Sequence, residues 1–82
     1  MAEHQVLSPL PGTFYRKPAP DAADYVRVGE RVDVGAVLGL VEVMKQFSEL
    51  TAEVAGTLVA FHVGDGEPVE PGQLLAVIQS DD

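Results

Sequence analysis

The chain has 82 residues and no cysteine, which leaves room for one small core and excludes disulfide staples, thiolate metal sites and cysteine nucleophiles. Thirteen acidic residues against five basic ones give a net charge of −8, which argues against nucleic acid and anionic membrane surfaces as partners. An apolar share of 46% is enough for a packed globule, yet no apolar run is long enough to cross a bilayer as a helix. The start, Met1-Ala2-Glu3-His4-Gln5, lacks the basic flank and apolar core of a signal peptide, so a soluble cytoplasmic protein is the expectation. The acid excess has two accounts. It keeps a small domain soluble, or it steers the domain to basic surfaces on larger partner enzymes.

Glycines and prolines recur every few residues, and the segments between them are short, β-branched and alternating. That pattern predicts an all-β sandwich or barrel. A first strand is expected over Gln5–Ser8, broken by Pro9-Leu10-Pro11-Gly12, and a second over Thr13–Arg16. Residues 17–24, Lys17-Pro18-Ala19-Pro20-Asp21-Ala22-Ala23-Asp24, then form a protruding loop. Its two prolines cannot join a sheet ladder, and they stiffen the segment.

From Tyr25 onward the chain repeats itself. Gly29-Glu30-Arg31-Val32 through Gly35 and Leu38 aligns with Gly66-Glu67-Pro68-Val69 through Gly72 and Leu75, at an offset of 37 residues. Upstream, Gly12-Thr13-Phe14 echoes Gly56-Thr57-Leu58 at an offset of 44, and the Pro-rich loop absorbs the difference. Two copies are too few for a solenoid, so a closed pair of small sheets related by a two-fold is the expectation. Gly29, Gly35, Gly66 and Gly72 read as turn residues with positive φ. Gly64-Asp65-Gly66 looks superficially like a phosphate loop, but neither a helix nor a basic partner follows it.

Between the copies lies Leu40-Val41-Glu42-Val43-Met44-Lys45-Gln46-Phe47-Ser48-Glu49-Leu50. Leu40, Glu42 and Met44 alternate with Val41 and Val43, and the alternation resumes after Lys45, which predicts two strands reversing at Met44-Lys45. The turn contains no Gly, Asn or Asp, so it must accept unfavourable backbone angles, and such strain often marks function. Lys45 is therefore expected at a hairpin tip, exposed and far from both chain ends, as a target for covalent modification. Shifted by 37, it falls on Asp82, the last residue.

Other chemistry is thin. His4 is expected in a frayed terminus and His62 on a solvent-facing strand, Thr57–Val63, without metal-ligand spacing. Ser8, Ser48 and Ser80 have no histidine or elbow context. No catalytic residue and no metal site is expected.

Glu42-Val43-Met44-Lys45 resembles the Glu-Ala-Met-Lys attachment motif of biotinyl domains. Leu7 to Ile78 as a whole is similar to the biotin carboxyl carrier proteins of bacterial and plastid acetyl-CoA carboxylase, through Ser8 to Arg16, Pro18 to Ala22, Val28-Gly29 to Gly35, Gly56-Thr57 and Gly66 to Val69. The resemblance implies a flattened barrel of two four-stranded antiparallel sheets over residues 1–82, with biotin in amide linkage to Lys45. It implies a thumb at residues 17–24, whose Pro18, Ala19, Pro20, Asp21 and Ala22 lean over biotin. It also implies a non-catalytic role. A biotin protein ligase loads the carrier, biotin carboxylase charges it with CO₂, and a carboxyltransferase passes the group to acetyl-CoA or another acyl-CoA in fatty acid biosynthesis. Val43 and Gln46 depart from the usual Ala and Met on either side of Met44-Lys45. Met44, which in the superfamily that the chain resembles helps tell biotinyl from lipoyl domains, is retained. The family's N-terminal assembly region and Pro/Ala-rich linker are missing, so the expectation is an excised domain or a short free-standing carrier. Two alternatives stand beside this one: a lipoyl carrier of a dehydrogenase or glycine cleavage system, and an unmodified β-sandwich binding module.

Overall fold

The computed structural model describes residues 2–81. Eight strands follow one another: β1 (Glu3–Leu7), β2 (Gly12–Tyr15), β3 (Arg31–Val32), β4 (Val37–Val43), β5 (Gln46–Thr51), β6 (Gly56–Phe61), β7 (Glu67–Val69) and β8 (Leu74–Ser80). They form two antiparallel four-stranded sheets, ordered β1-β8-β6-β3 and β5-β4-β2-β7. The body is flattened, with extents of 37 × 27 × 19 Å.

The internal repeat governs this topology. Strands β1 to β4 of the first copy correspond in order to β5 to β8 of the second, and this exchange converts one sheet order into the other. Equivalent backbone hydrogen bonds accompany it. Gly66 N–H donates to Phe14 O and its counterpart Gly29 N–H to Leu58 O, both at 2.7 Å.

The core between the sheets is built from the same correspondence. Phe14 and Leu58, Leu38 and Leu75, Val32 and Val69, Val41 and Ile78, and Val26 and Val63 are equivalent pairs, and all ten are buried in one cluster. Each such side chain contributes about 1.5–3 kcal/mol on leaving water. Leu38 and Leu75 reach this cluster through register shifts. Val37 pairs Thr51 and Gly39 pairs Leu50, while Leu7 pairs Leu74 and Val6 pairs Ala76, so one extra residue bulges in each ladder.

Three expectations need correction at their edges. β1 spans Glu3–Leu7 rather than Gln5–Ser8, because the buried Ser8 hydroxyl donates to Leu10 O and turns the chain. His4 is not frayed: it pairs with Ile78 in β1–β8 and is half-buried. β2 stops at Tyr15, since the Arg16 amide donates to the Asp65 carboxylate instead of continuing the ladder. The chain ends meet where Ser80 N–H donates to Ala2 O at 2.8 Å. Asp82, the counterpart of Lys45, lies outside the described residues, as does Met1.

Candidate functional site

The β4–β5 ladder is paired to its end, Val43 opposite Gln46, which leaves Met44 and Lys45 as a two-residue loop. Both have left-handed backbone, with φ of 52° and 68°. This is the geometry that matches the right-handed twist of the flanking strands. The other residues with positive φ among those described are Gly29, Gly35, Gly66 and Gly72, so side chains stand in this conformation only at the tip. The cost is about 1–2 kcal/mol per residue, sustained by the ladder below. Lys45 is exposed and joins no ion pair among the described residues, and Met44 is 91% exposed.

The two faces of the hairpin differ. Val41 packs in the core, whereas Leu40, Glu42 and Phe47 lie on the outer face of the sheet beside Tyr15. The Tyr15 hydroxyl donates to Glu42 Oε1 at 3.1 Å, and the Tyr15 and Phe47 rings sit 6.2 Å apart at a tilt of 49°. The hydrogen bond to Glu42 raises the Tyr15 pKa above the ordinary phenol value, with smaller contributions from desolvation and the charges of Glu42 and Asp65. Tyr15 thus stays a donor through the neutral range.

Over this outer face arches the segment joining β2 to β3. Tyr25 N–H donates to Arg16 O and closes the loop at its base, and Ala22 N–H donates to Ala19 O and forms a turn at its crest. Arg16 locks the base: its guanidinium pairs with Asp24 at 3.3 Å and lies 4.1 Å above the Phe61 ring. Between loop and sheet is an open groove of about 330 Å³ lined by Tyr15, Lys17, Pro18, Ala19, Pro20, Leu40, Phe47 and Asp65. Leu40 is only 8% exposed although it faces outward.

The residues singled out by sequence divide accordingly. Pro18, Ala19 and Pro20 line the groove, and Asp21 and Ala22 do not. Val43, Met44 and Gln46 border a second hollow, with Leu10 and Ser48. Glu42 reaches the first groove through its bond to Tyr15. Tyr15, Leu40, Phe47 and Asp65 were missed as site residues. Tyr15 and Phe47 carried one signal, being aromatic in a chain that is only 6% aromatic.

A family model described as biotin-requiring enzyme, covering biotin and lipoyl attachment, matches residues 4–78. The chain belongs to that family. The biotin carboxyl carrier protein of acetyl-CoA carboxylase from Nostoc sp. is 44% identical over 77 residues, covering 94% of this chain and 42% of the relative. That of Haemophilus influenzae is 43% identical, covering 96% and 51%. The chain thus spans about half the length of these relatives or less. Among solved structures, a single-chain long-chain acyl-CoA carboxylase matches with a TM-score of 0.81 and 26% identity, covering 98% of this chain and 7% of that one. The Kluyveromyces lactis urea carboxylase matches with a TM-score of 0.78 and 26% identity, covering 96% and 6%. Family membership accords with the two-sheet fold expected from the resemblance. No helix among the described residues is long and apolar enough to cross a membrane.

Proposed function

We propose that residues 1–82 form one biotinyl domain, with residues 17–24 as its thumb, acting as a non-catalytic carboxyl carrier with biotin in amide linkage to Lys45. The observation that carries this reading is the left-handed Met44-Lys45 turn. It spends conformational energy to hold one lysine clear of the sheet in a fixed shape. A modifying enzyme that must select one amine needs such a shape, and Met44, Val43 and Gln46 stand beside it for recognition.

The residues present fit the group. A hydrophobic ring system needs an apolar surface within reach of the lysine, and Phe47 lies two residues from Lys45, about 7 Å along the strand. Pro18, Ala19, Pro20, Leu40, Phe47 and Tyr15 supply that surface, and the Glu42-bound Tyr15 adds a fixed polar edge. Biotin, once attached, supplies a ureido nitrogen that accepts and releases a carboxyl group. The chain's own contribution is tethering and positioning, which replace diffusion between enzymes with a high effective concentration. The relatives named as carriers of acetyl-CoA carboxylase support a biotin protein ligase, a biotin carboxylase and a carboxyltransferase as partners, and an acyl-CoA as acceptor. On this reading the chain works in the cytoplasm, beside the enzymes that load and unload it.

Intact mass after co-expression with a biotin protein ligase tests the assignment. One biotin increment is expected on the wild-type chain and none on Lys45→Arg. An increment that survives the substitution, or a lipoyl increment in its place, would overturn the proposal.

A further inference from the structure

Sulfur is scarce in this chain and its placement is uneven. There is no cysteine, and the two methionines are Met1 and Met44. Methionine serves either as a filler of cores or as an adaptable contact at binding surfaces, because its thioether is apolar, unbranched and polarisable. Met44 adds nothing to the core: it is 91% exposed at the apex of the hairpin, beside Lys45. The β4–β5 ladder is paired as far as Val43 and Gln46, so Met44 and Lys45 are the whole loop. With Leu10, Val43, Gln46 and Ser48, Met44 borders a hollow that shares no lining residue with the groove under the thumb. An apolar side chain that the fold leaves in water contributes only when a partner covers it, and an enzyme acting on Lys45 approaches across it. The same exposure opens the sulfur to two-electron oxidants, and the chain has no thiol to intercept them.

We propose that Met44 is an oxidation site that gates loading of the neighbouring lysine: its sulfoxide form is a poor substrate for a biotin protein ligase, and reduction of the sulfoxide restores it. This rests on the reading of Lys45 as the biotin-bearing residue. The oxidant is a peroxide. The thioether sulfur attacks one peroxide oxygen, a sulfur–oxygen bond forms as the oxygen–oxygen bond breaks, and the other oxygen takes up the protons and leaves as water. Sulfur gives up two electrons and the peroxide receives them. The product carries a polar oxygen and a new chiral centre where the side chain was apolar. Covering the tip then desolvates a polar group, so a contact that favoured the ligase complex comes to oppose it. The change stays local. Met44 lies outside the buried cluster, so its polarity can alter without loosening the sandwich. Once biotin is attached, oxidation leaves the amide bond untouched. The gate therefore acts on the unloaded chain alone: under peroxide, loaded carriers keep their biotin while new ones wait.

The test uses the full chain before biotinylation, treated with hydrogen peroxide and then freed of it. Peptide mass mapping is expected to show one added oxygen at Met44, with the urea midpoint at its untreated value. Loading is then followed with a biotin protein ligase, biotin and ATP. The Met44 sulfoxide form is expected to lose about tenfold in kcat/KM, the effect of losing one apolar side chain's burial in the complex. Methionine sulfoxide reductase is expected to return it to the untreated rate. Met44→Leu, whatever its own rate, is expected to show no change on the same treatment, which separates Met44 from Met1. Chain biotinylated before treatment is expected to keep its biotin increment. Equal loading before and after oxidation at Met44, a loss that the reductase does not reverse, or an equal loss in Met44→Leu would each overturn the gate. So would a midpoint that falls on oxidation, or a Met44 that stays reduced while free methionine in the same solution is oxidised. A chain that takes up no biotin even before treatment is the separate result that overturns the carrier reading, and the gate with it.

Discussion

The two halves of the molecule share a fold and differ at their ends. In the first half β2 and β3 are joined by residues 16–30, which arch over the sheet. In the second, β6 and β7 are joined by residues 62–66, a tight connection with a turn at Gly64 to Glu67. The hairpin tip of Met44 and Lys45 occupies in one sheet the position that the paired chain ends occupy in the other. The duplicated framework therefore supplies rigidity twice, and the departures from symmetry lie in one half: the thumb covers the first groove, and the tip residue Met44 borders the second hollow. Symmetry marks what holds the fold; its breaks are the tip and thumb on which the proposed carrier role rests.

The framework half of that comparison has the largest expected effect. Leu38 and Leu75 are equivalent, both fully buried and both delivered by a bulge. Leu38→Ala and Leu75→Ala should each cost about 2–5 kcal/mol in urea unfolding, and by similar amounts. A large inequality would mean that the two halves do not share the load of the core, and that the thumb-bearing half is stabilised separately.

The tip gives a smaller effect of opposite sign. Glycine occupies every other described position with positive φ, so Lys45→Gly should stabilise the chain by about 1 kcal/mol while removing the modifiable amine. Met44→Gly should do the same with the amine retained. The unfolding midpoint measures both. Unchanged or lowered stability in the two variants would mean that the turn carries no strain and that its backbone does not single out the lysine.

Much of this is legible in the sequence. The offset of 37 residues predicts the glycine turns and the equivalence of β4 and β8, and alternation across Leu40 to Leu50 predicts the hairpin and its reversal. What was not legible depends on pairing between distant segments. Strict alternation would put Leu38 on the face of Leu40, and the bulge sends it into the core instead. Tyr15 and Phe47 become neighbours only because β2, β4 and β5 lie side by side. His4 is fixed by its pairing with Ile78, at the far end of the sequence, which no local composition reveals.

The smallest effect concerns how the two equivalent ends are held. At the chain termini the Arg31 guanidinium donates to both carboxylate oxygens of Asp81. The residues at the corresponding places near the hairpin tip are Pro68 and Met44, which cannot form such a pair. The terminal end is thus clamped by charge and the tip is left free to present Lys45. The hydrogen bonds from Arg31 hold the Asp81 carboxyl below its ordinary value, partly opposed by desolvation. Because the folded value is depressed, its stabilisation is complete above the unfolded carboxylate range, about pH 4, and is lost as pH falls through the lower folded value. Both groups are exposed, so the effect is small and is screened by salt. Asp81→Asn should lower the urea midpoint slightly at neutral pH and low salt. The gap to wild type should close below the folded pKa and shrink at high salt. A gap that persists unchanged in acid would show that Asp81 acts through packing rather than charge, and the contrast between a clamped end and a free one would then rest on the backbone alone.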